Sequence, residues 1–209
     1  MKTGKAARRG QRNRRALALA SGGVAAILLL ASLLLWLATP GRGVIRTDDR
    51  IGGPFSLIDD RGNPVTDQSF PGKYLLVYFG YASCRDVCPA TLSTLAASLD
   101  RLGRKADLVQ PLFITIDPTH DTPAVLRHYV SAFSTSLVGL TGTDTELSKV
   151  ADEYKVVRIL HREPGVASAV TLDHSSVLYL IAPDGRFIAP IPADASEMVM
   201  AQVIARYVS

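Results

Sequence analysis

The stretch that decides the fold is LLVYFGYASCRDVCP, residues 75–89. Its first part, residues 75–81, is a continuous apolar run with aromatic side chains, which is typical of a β-strand buried on both faces. Cys84 and Cys88, the only two cysteines of the chain, follow in a loop, and a helical pattern begins at Pro89. Two sulfurs at this spacing can share one metal ion or close one small disulfide, so the pair is the first candidate for function.

Strands alternate with helices on the C-terminal side of this stretch, and hairpins stand at both ends of the domain. We predict strands at residues 112–116 and 137–140 and helices at 89–102, 144–154 and 196–208. A further helix starts at Asp121-Thr122-Pro123 and continues through residues 125–133, and hairpins lie at 55–66 and 177–191. This order implies an α/β, thioredoxin-like domain with a central mixed, mostly parallel sheet flanked by helices. Sites in such sheets lie beyond the carboxyl ends of the strands, where the cysteine loop is placed.

The N-terminal part has a different composition. Residues 16–38 carry no charged side chain, and as a helix they would span about 35 Å, enough to cross a hydrocarbon core of ~30 Å. Residues 1–15 are basic and contain no acidic residue, which favours a cytoplasmic N-terminus. A cleaved signal peptide is the alternative, but its apolar region would usually be only ~7–15 residues. We therefore expect a basic cytoplasmic arm (1–15), one transmembrane anchor (16–38), a linker (39–50) and an exported domain (51–209).

The distribution of charge excludes one class of function. The chain has a formal net charge of +4, but residues 1–46 hold nine of its 23 basic residues and none of its 19 acidic residues. The remaining residues therefore have a net charge of −5, which makes the domain a poor nucleic-acid binder. The apolar segment begins too early to leave room for a long transit peptide. We expect a single-pass protein of the bacterial inner membrane, with its domain in the periplasm.

Local chemistry favours reactive thiols. We expect Pro89 at the first helical position and Cys88 as the cap, so that the helix dipole and the nearby Arg85 stabilise a thiolate. An inert disulfide staple is the alternative, and an exported domain would favour oxidation of the pair. A disulfide that closes so short a loop removes little chain entropy, however, and the loop is where a site is expected.

Histidine supplies the next candidate ligand. Of the four histidines, only His120 and His174 border strand ends from which they might approach the cysteines. Two thiolates and one imidazole form a soft set that suits Cu(I). Structural zinc normally takes four ligands. Asp86 or Asp173 could supply a carboxylate as a further ligand, so zinc is an alternative to copper.

Several motifs together resemble the Sco/SenC family. Residues 79–89, FGYASCRDVCP, resemble its C-x-x-x-C-P signature, and residues 116–123, IDPTHDTP, resemble its D-P-x-x-D-T-P segment. LTGT at 140–143 and DHS at 173–175 resemble two later stretches of the family. The resemblance runs from about residue 52 to the C-terminus. It implies a thioredoxin-like fold, one membrane anchor and a copper-carrying role in assembly of the CuA centre of cytochrome c oxidase.

The resemblance also implies the copper ligands, which are Cys84, Cys88 and His174 in this sequence. Arg85 stands where proline is common in the family, which alters loop stiffness and local charge. We expect a copper metallochaperone whose partners are the CuA-bearing oxidase subunit, a copper donor and a thiol reductant, with Asp86 and Asp173 as orienting or turn residues.

Two alternatives use the same residues. A thiol–disulfide oxidoreductase would use Cys84 and Cys88 as a redox pair to reduce the client's cysteines. Its ordinary motif is C-x-x-C, and this reading gives no role to His174. A thiol peroxidase on the same fold is a third, weaker interpretation.

Overall fold

A sheet of seven strands forms the centre of the computed structural model, which describes residues 51–156, 159–162, 170–173 and 177–208. In chain order the strands within those ranges are β1 (Ser56–Asp59), β2 (Pro64–Thr66), β3 (Tyr74–Gly80), β4 (Val109–Thr115), β5 (Val138–Thr141), β6 (Ile159–Arg162), β7 (Val170–Asp173), β8 (Val177–Ile181) and β9 (Phe187–Pro192). The helices are α1 (Val87–Leu102), α2 (Pro123–Ser131), α3 (Asp144–Glu153) and α4 (Glu197–Tyr207), and short 3₁₀ turns lie at Asp67–Ser69 and Gly103–Leu108.

The large sheet is mixed, as the sequence predicts, but the expectation that it is mostly parallel is wrong, because the hairpin strands add antiparallel pairings on both sides of β3, β4 and β5. Its strand order is β2-β1-β5-β4-β3-β8-β9. Strands β3, β4 and β5 are parallel to one another, and every other pairing in the sheet is antiparallel. The parallel strands carry the α/β crossovers, while the antiparallel strands form the hairpins at both ends of the domain. The thioredoxin-like arrangement expected from the sequence is therefore confirmed.

Strand β3 is buried on both faces. Leu75, Val77 and Phe79 belong to one apolar cluster, whereas Leu76 and Tyr78 belong to the other. Successive side chains of a strand point to opposite faces, so a strand covered on both sides must be apolar throughout. Helix α3 contributes to the first cluster, and helices α1, α2 and α4 contribute to the second. The cysteine loop therefore leaves from a strand in which residues 75–80 are all buried.

The predicted elements agree with the structure to within a few residues at their ends. The strand predicted at 112–116 begins earlier, at Val109, whereas the helix begins at Pro123, within the start predicted at 121–123. The two-stranded antiparallel pair β6–β7, in which Ile159 pairs with Asp173, has no counterpart in the sequence prediction.

The predicted arm, anchor and linker, residues 1–50, lie outside the described residues. Among the residues that the structure describes, no helix combines the length and the apolar character needed to span a bilayer. The membrane anchor at 16–38 therefore stays a prediction.

Helix α3 begins with a reciprocal cap. The Glu146 N–H donates to Thr143 Oγ1 over 3.2 Å, and the Thr143 N–H donates to Glu146 Oε2 over 2.8 Å. These hydrogen bonds satisfy donors that the first turn of a helix otherwise leaves unpaired. The Thr143 N–H and hydroxyl hydrogen bonds lower the pKa of Glu146. The cap therefore depends on the ionised carboxylate.

We predict that Thr143→Ala lowers the free energy of unfolding at neutral pH by about 1 kcal/mol, a typical cost of losing a cap. Folding lowers the pKa of Glu146, so its ionised carboxylate contributes to the free energy of unfolding at pH values above the pKa of the unfolded state. This contribution is lost as the pH falls through the pKa of the folded state. The gap between wild type and variant should therefore narrow on acidification in denaturant titrations. Thr145→Ala, at an exposed position of the same turn, is the matched control and should leave stability within about 0.5 kcal/mol of wild type. An equal loss in both variants would contradict the assigned cap.

Candidate metal centre

The two cysteines lie next to the end of β3, Cys84 in the loop that follows it and Cys88 in the first turn of α1. Strand β3 ends at Gly80 and helix α1 begins at Val87, so Cys84 belongs to the connecting loop. Strands β3 and β4 run in parallel, with Gly80 paired to Thr115, so their carboxyl ends meet at one edge of the sheet. Cys84 is half-buried at this edge and Cys88 is buried.

The start of helix α1 differs from the prediction. Asp86, not Cys88, occupies the N-cap position, and its side chain makes no capping hydrogen bond. Cys88 is thus the second residue of the helix and Pro89 the third. Pro89 is tolerated there because the N–H groups of the first turn have no intrahelical acceptor. The shift of two residues turns the Cys88 side chain inward, where it packs in the second apolar cluster.

The two sulfur sites are neighbours. The Cys88 N–H donates to Cys84 Sγ over 3.4 Å, and both residues are present as thiols. On the inner side, the Tyr78 hydroxyl donates to Cys88 Sγ over 3.8 Å. The structure therefore brings together two of the three residues predicted to bind the metal.

The packing around Cys88 requires a glycine at the end of β3. A Cβ atom on Gly80 would lie 2.9 Å from Cys88 Sγ and 2.8 Å from the ring of Phe113. Both distances are too short for ordinary carbon contacts. Gly80 therefore allows the buried sulfur and the Phe113 ring to approach the backbone of the strand together.

Burial reverses the expected charge state of Cys88. Removal from water, followed by the hydrogen bond with Cys84, raises the pKa of Cys88 to about 12. The expected thiolate at the helix N-terminus is therefore wrong for this residue, because desolvation outweighs the helix dipole. A metal ion that binds Cys88 must displace its proton.

A buried carboxylate is hydrogen-bonded to the first part of the cysteine loop. Asp121 is only 1% exposed, and its Oδ2 accepts the Ala82 N–H over 2.9 Å and the Thr115 hydroxyl over 2.6 Å. Thr115 Oγ1 in turn accepts the Asp117 N–H over 2.9 Å. Burial is the main cause of a raised pKa for Asp121. One carboxylate thus joins the cysteine loop, the end of β4 and the segment before α2, a role that sequence reasoning missed.

The third predicted ligand is not tested by the geometry. His174 lies outside the described residues and directly follows β7, which ends at Asp173. His120, the other candidate, is exposed, and its Nδ1 lies 2.8 Å from Asp117 Oδ2. In the part of the chain that the structure describes, no three His, Cys, Asp or Glu side chains are grouped so as to hold a metal ion.

We predict that Asp121→Ala destabilises the domain by about 1–3 kcal/mol for each buried donor that it leaves without an acceptor. The Ala82 N–H and the Thr115 hydroxyl are those donors. Denaturant titration of the purified chain measures the loss, and Asp100→Ala, at an exposed position of α1, serves as the control. A loss no larger than that of the control would show that Asp121 does not hold the loop.

With one thiol in the loop after its central strand and the other in the first turn of the following helix, the domain falls in the class of thioredoxin-like proteins. Comparison with known proteins then gives the family. A family model described as SCO1/SenC matches residues 44–209, most of the chain, and the chain belongs to this family. A more distant structural neighbour, BsSco, is described as a member of the Sco family of cytochrome c oxidase assembly proteins; at 19% identity and a TM-score of 0.59, this likeness shows the fold alone.

Several relatives are similar over most of the domain. The mitochondrial protein SCO2 of Saccharomyces cerevisiae is 41% identical over 139 residues, which cover 66% of this chain and 46% of SCO2. A SCO2-like protein of Rickettsia felis is 34% identical over 180 residues, 83% of this chain and 86% of that protein. The solved structure of Bradyrhizobium japonicum ScoI with copper bound has a TM-score of 0.69 and 39% identity, and covers 75% of this chain and 99% of that one. The chain spans roughly half the length of the first curated relatives it matches, for example 46% of SCO2 and 54% of SCO1 from S. cerevisiae.

Proposed function

We propose that this chain is a membrane-anchored copper metallochaperone that delivers copper to the CuA centre during assembly of cytochrome c oxidase. The observation that carries the proposal is the pair of neighbouring thiols, Cys84 and Cys88, on the fold of a relative solved with copper bound. Copper is the cargo of this reaction, and the residues that hold it are those of the cysteine loop together with His174.

The donor set suits copper. Thiolate sulfur is a soft ligand that favours Cu(I), and an imidazole from His174 would complete a three-coordinate site. Zinc in a structural site normally takes four ligands, and no third cysteine exists in the chain. The contact of His120 with Asp117 uses Nδ1 and leaves Nε2 able to bind a metal, so the choice of His174 as the third ligand rests on the resemblance to the family. Asp86 and Asp173, next to the ligands in sequence, are candidates for orienting groups.

The exposure of the two sulfurs suits transfer. Cys88 is fully buried, whereas Cys84 lies half-buried in the loop, where ligands of another protein could reach it. Asp121 fixes the start of this loop through the Ala82 N–H, so that the ligand is presented from a defined backbone. Such a site holds the ion and still allows ligand exchange.

The membership of the Sco/SenC family and the sequence of residues 1–50 support the proposed client and compartment. The client is the oxidase subunit that carries CuA, with a copper donor and a thiol reductant as further partners. Residues 16–38 anchor the chain in a bacterial inner membrane, with residues 1–15 in the cytoplasm and residues 51–209 in the periplasm. A carrier tethered in this way stays close to a client in the same membrane.

We predict that Cys84→Ser, Cys88→Ser and His174→Ala each lower copper affinity by more than about 100-fold, the upper range seen when only an outer partner of a ligand is lost. The measurement is titration of the reduced chain with Cu(I) against a competing chelator. Sulfur-to-copper charge-transfer absorption of the Cu(II) form reports thiolate ligation directly.

His128→Ala is the matched control, because His128 is exposed on helix α2. It should bind copper like the wild type. If His174→Ala also retained wild-type affinity, the assigned ligand set would be wrong.

A thiol–disulfide oxidoreductase is the second candidate, favoured by the unequal burial of the two thiols. Half-buried Cys84 would attack a client disulfide and form a mixed disulfide, and buried Cys88 would then displace the client as a dithiol. The chain would be left with a Cys84–Cys88 disulfide, which an external dithiol must reduce.

This activity needs both cysteines but no imidazole. We predict that His174→Ala loses copper binding yet keeps most of the rate of disulfide exchange, measured with a peptide disulfide and a dithiol reductant. An equal loss of both activities in this variant would contradict the separation of the two roles.

A further inference from the structure

The hydroxyl of Tyr129 is a buried polar group without an assigned role. Among the described residues it has no hydrogen-bond partner, although its oxygen is shielded from solvent. A buried hydroxyl without a partner costs free energy, so its retention calls for an explanation in another state of the protein.

The Tyr129 ring lies along one wall of the cysteine site. It packs against the ring of Phe113 at 5.5 Å between centroids and against Phe133 at 5.3 Å. The Phe113 ring and Cys88 Sγ both approach the same side of Gly80, at 2.8 and 2.9 Å from the position of a Cβ atom. Cys88, Phe113, Tyr129 and Cys84 also share one apolar cluster. The hydroxyl therefore belongs to the surroundings of the two sulfurs.

Electrostatics agree with this placement. Burial raises the pKa of Tyr129, and the negative charges of Cys88, Cys84 and Asp121, when ionised, raise it further. The phenol consequently stays protonated at neutral pH and can only gain by donating its hydrogen to a nearby anion. Asp121 Oδ2 already accepts two hydrogen bonds, whereas the sulfurs become strong acceptors only when they lose their protons.

We infer that the Tyr129 hydroxyl donates a hydrogen bond to a sulfur of the Cys84–Cys88 pair when copper binding converts that pair to thiolates. Tyr129 is then a positioning residue for the copper-bound state. Among the described residues the hydroxyl has no hydrogen-bond partner, and copper binding would supply an acceptor. The inference rests on the proposed function, because it needs an ion that removes the thiol protons.

The test compares two quantities that should move differently. Tyr129→Phe removes the hydroxyl and keeps the ring that packs against Phe113 and Phe133. In the reduced, metal-free chain its unfolding free energy should equal or exceed that of wild type, since an unpaired buried hydroxyl is removed. Its Cu(I) affinity, measured on the full chain in detergent against a competing chelator, should fall by about 10- to 100-fold, as for other partners of metal ligands.

A spectroscopic signature separates this role from simple packing. A hydrogen bond to a thiolate lowers the energy of the sulfur electrons, so its loss should move the sulfur-to-Cu(II) charge-transfer band to longer wavelength. Tyr207→Phe, at an exposed position near the end of α4, is the matched control and should change neither quantity.

Each outcome decides a different statement. Wild-type chain that binds no copper would overturn the proposed function itself. Wild type that binds copper, with Tyr129→Phe of equal affinity and an unshifted band, would overturn only the role of Tyr129. Loss of stability in metal-free Tyr129→Phe would also overturn it, because the hydroxyl would then already have a partner.

Discussion

The structure depends on the complete burial of strand β3. Its side chains alternate between two apolar clusters, and it is hydrogen-bonded to β4 on one side and β8 on the other. A shift of the strand by one residue would exchange the two faces, so the packing fixes the register firmly. That register places Gly80 opposite Thr115 and thereby determines where the cysteine loop begins.

Around this fixed point the domain buries polar groups as well as apolar ones. Asp121 ties the loop to β4 through Thr115, and Tyr78 donates to the sulfur of Cys88 from within β3. Buried polar groups are tolerated when they are hydrogen-bonded, and a satisfied network specifies one arrangement of the chain. The cysteine pair is therefore held by the core of the fold on its inner side and by a loop on its outer side.

Much of this arrangement could be predicted from sequence, for reasons that differ between elements. Residues 75–81 have the continuous apolar pattern of a doubly covered strand, and Asp121-Thr122-Pro123 marks the start of α2, where Thr122 is indeed the N-cap. Such signals are local. The pair β6–β7 was missed because its first strand mixes two apolar residues with His161 and Arg162, a pattern that resembles an exposed segment.

Features that depend on contacts between distant parts of the chain could not be predicted from the sequence. The helix dipole lowers the pKa of a thiol at a helix N-terminus, and this effect can be predicted from sequence. The larger, opposite effect of burial on the pKa of Cys88 depends on tertiary packing beneath β3. The carboxylate of Asp121 was read as part of a helix start, although its oxygen serves a loop 39 residues away. The Tyr129 hydroxyl has no sequence signal, because helical periodicity marks only the face on which its ring lies.

The unequal depth of the two cysteines has a consequence for how an ion would leave. Under the proposed function, an incoming ligand meets the half-buried Cys84 sulfur first, while the Cys88 sulfur is enclosed by Tyr78 and Phe113. Bonds to the metal would thus be exchanged in a fixed order, with the deeper sulfur released last. The order in which an ion leaves would then be set by the fold rather than by the incoming ligand.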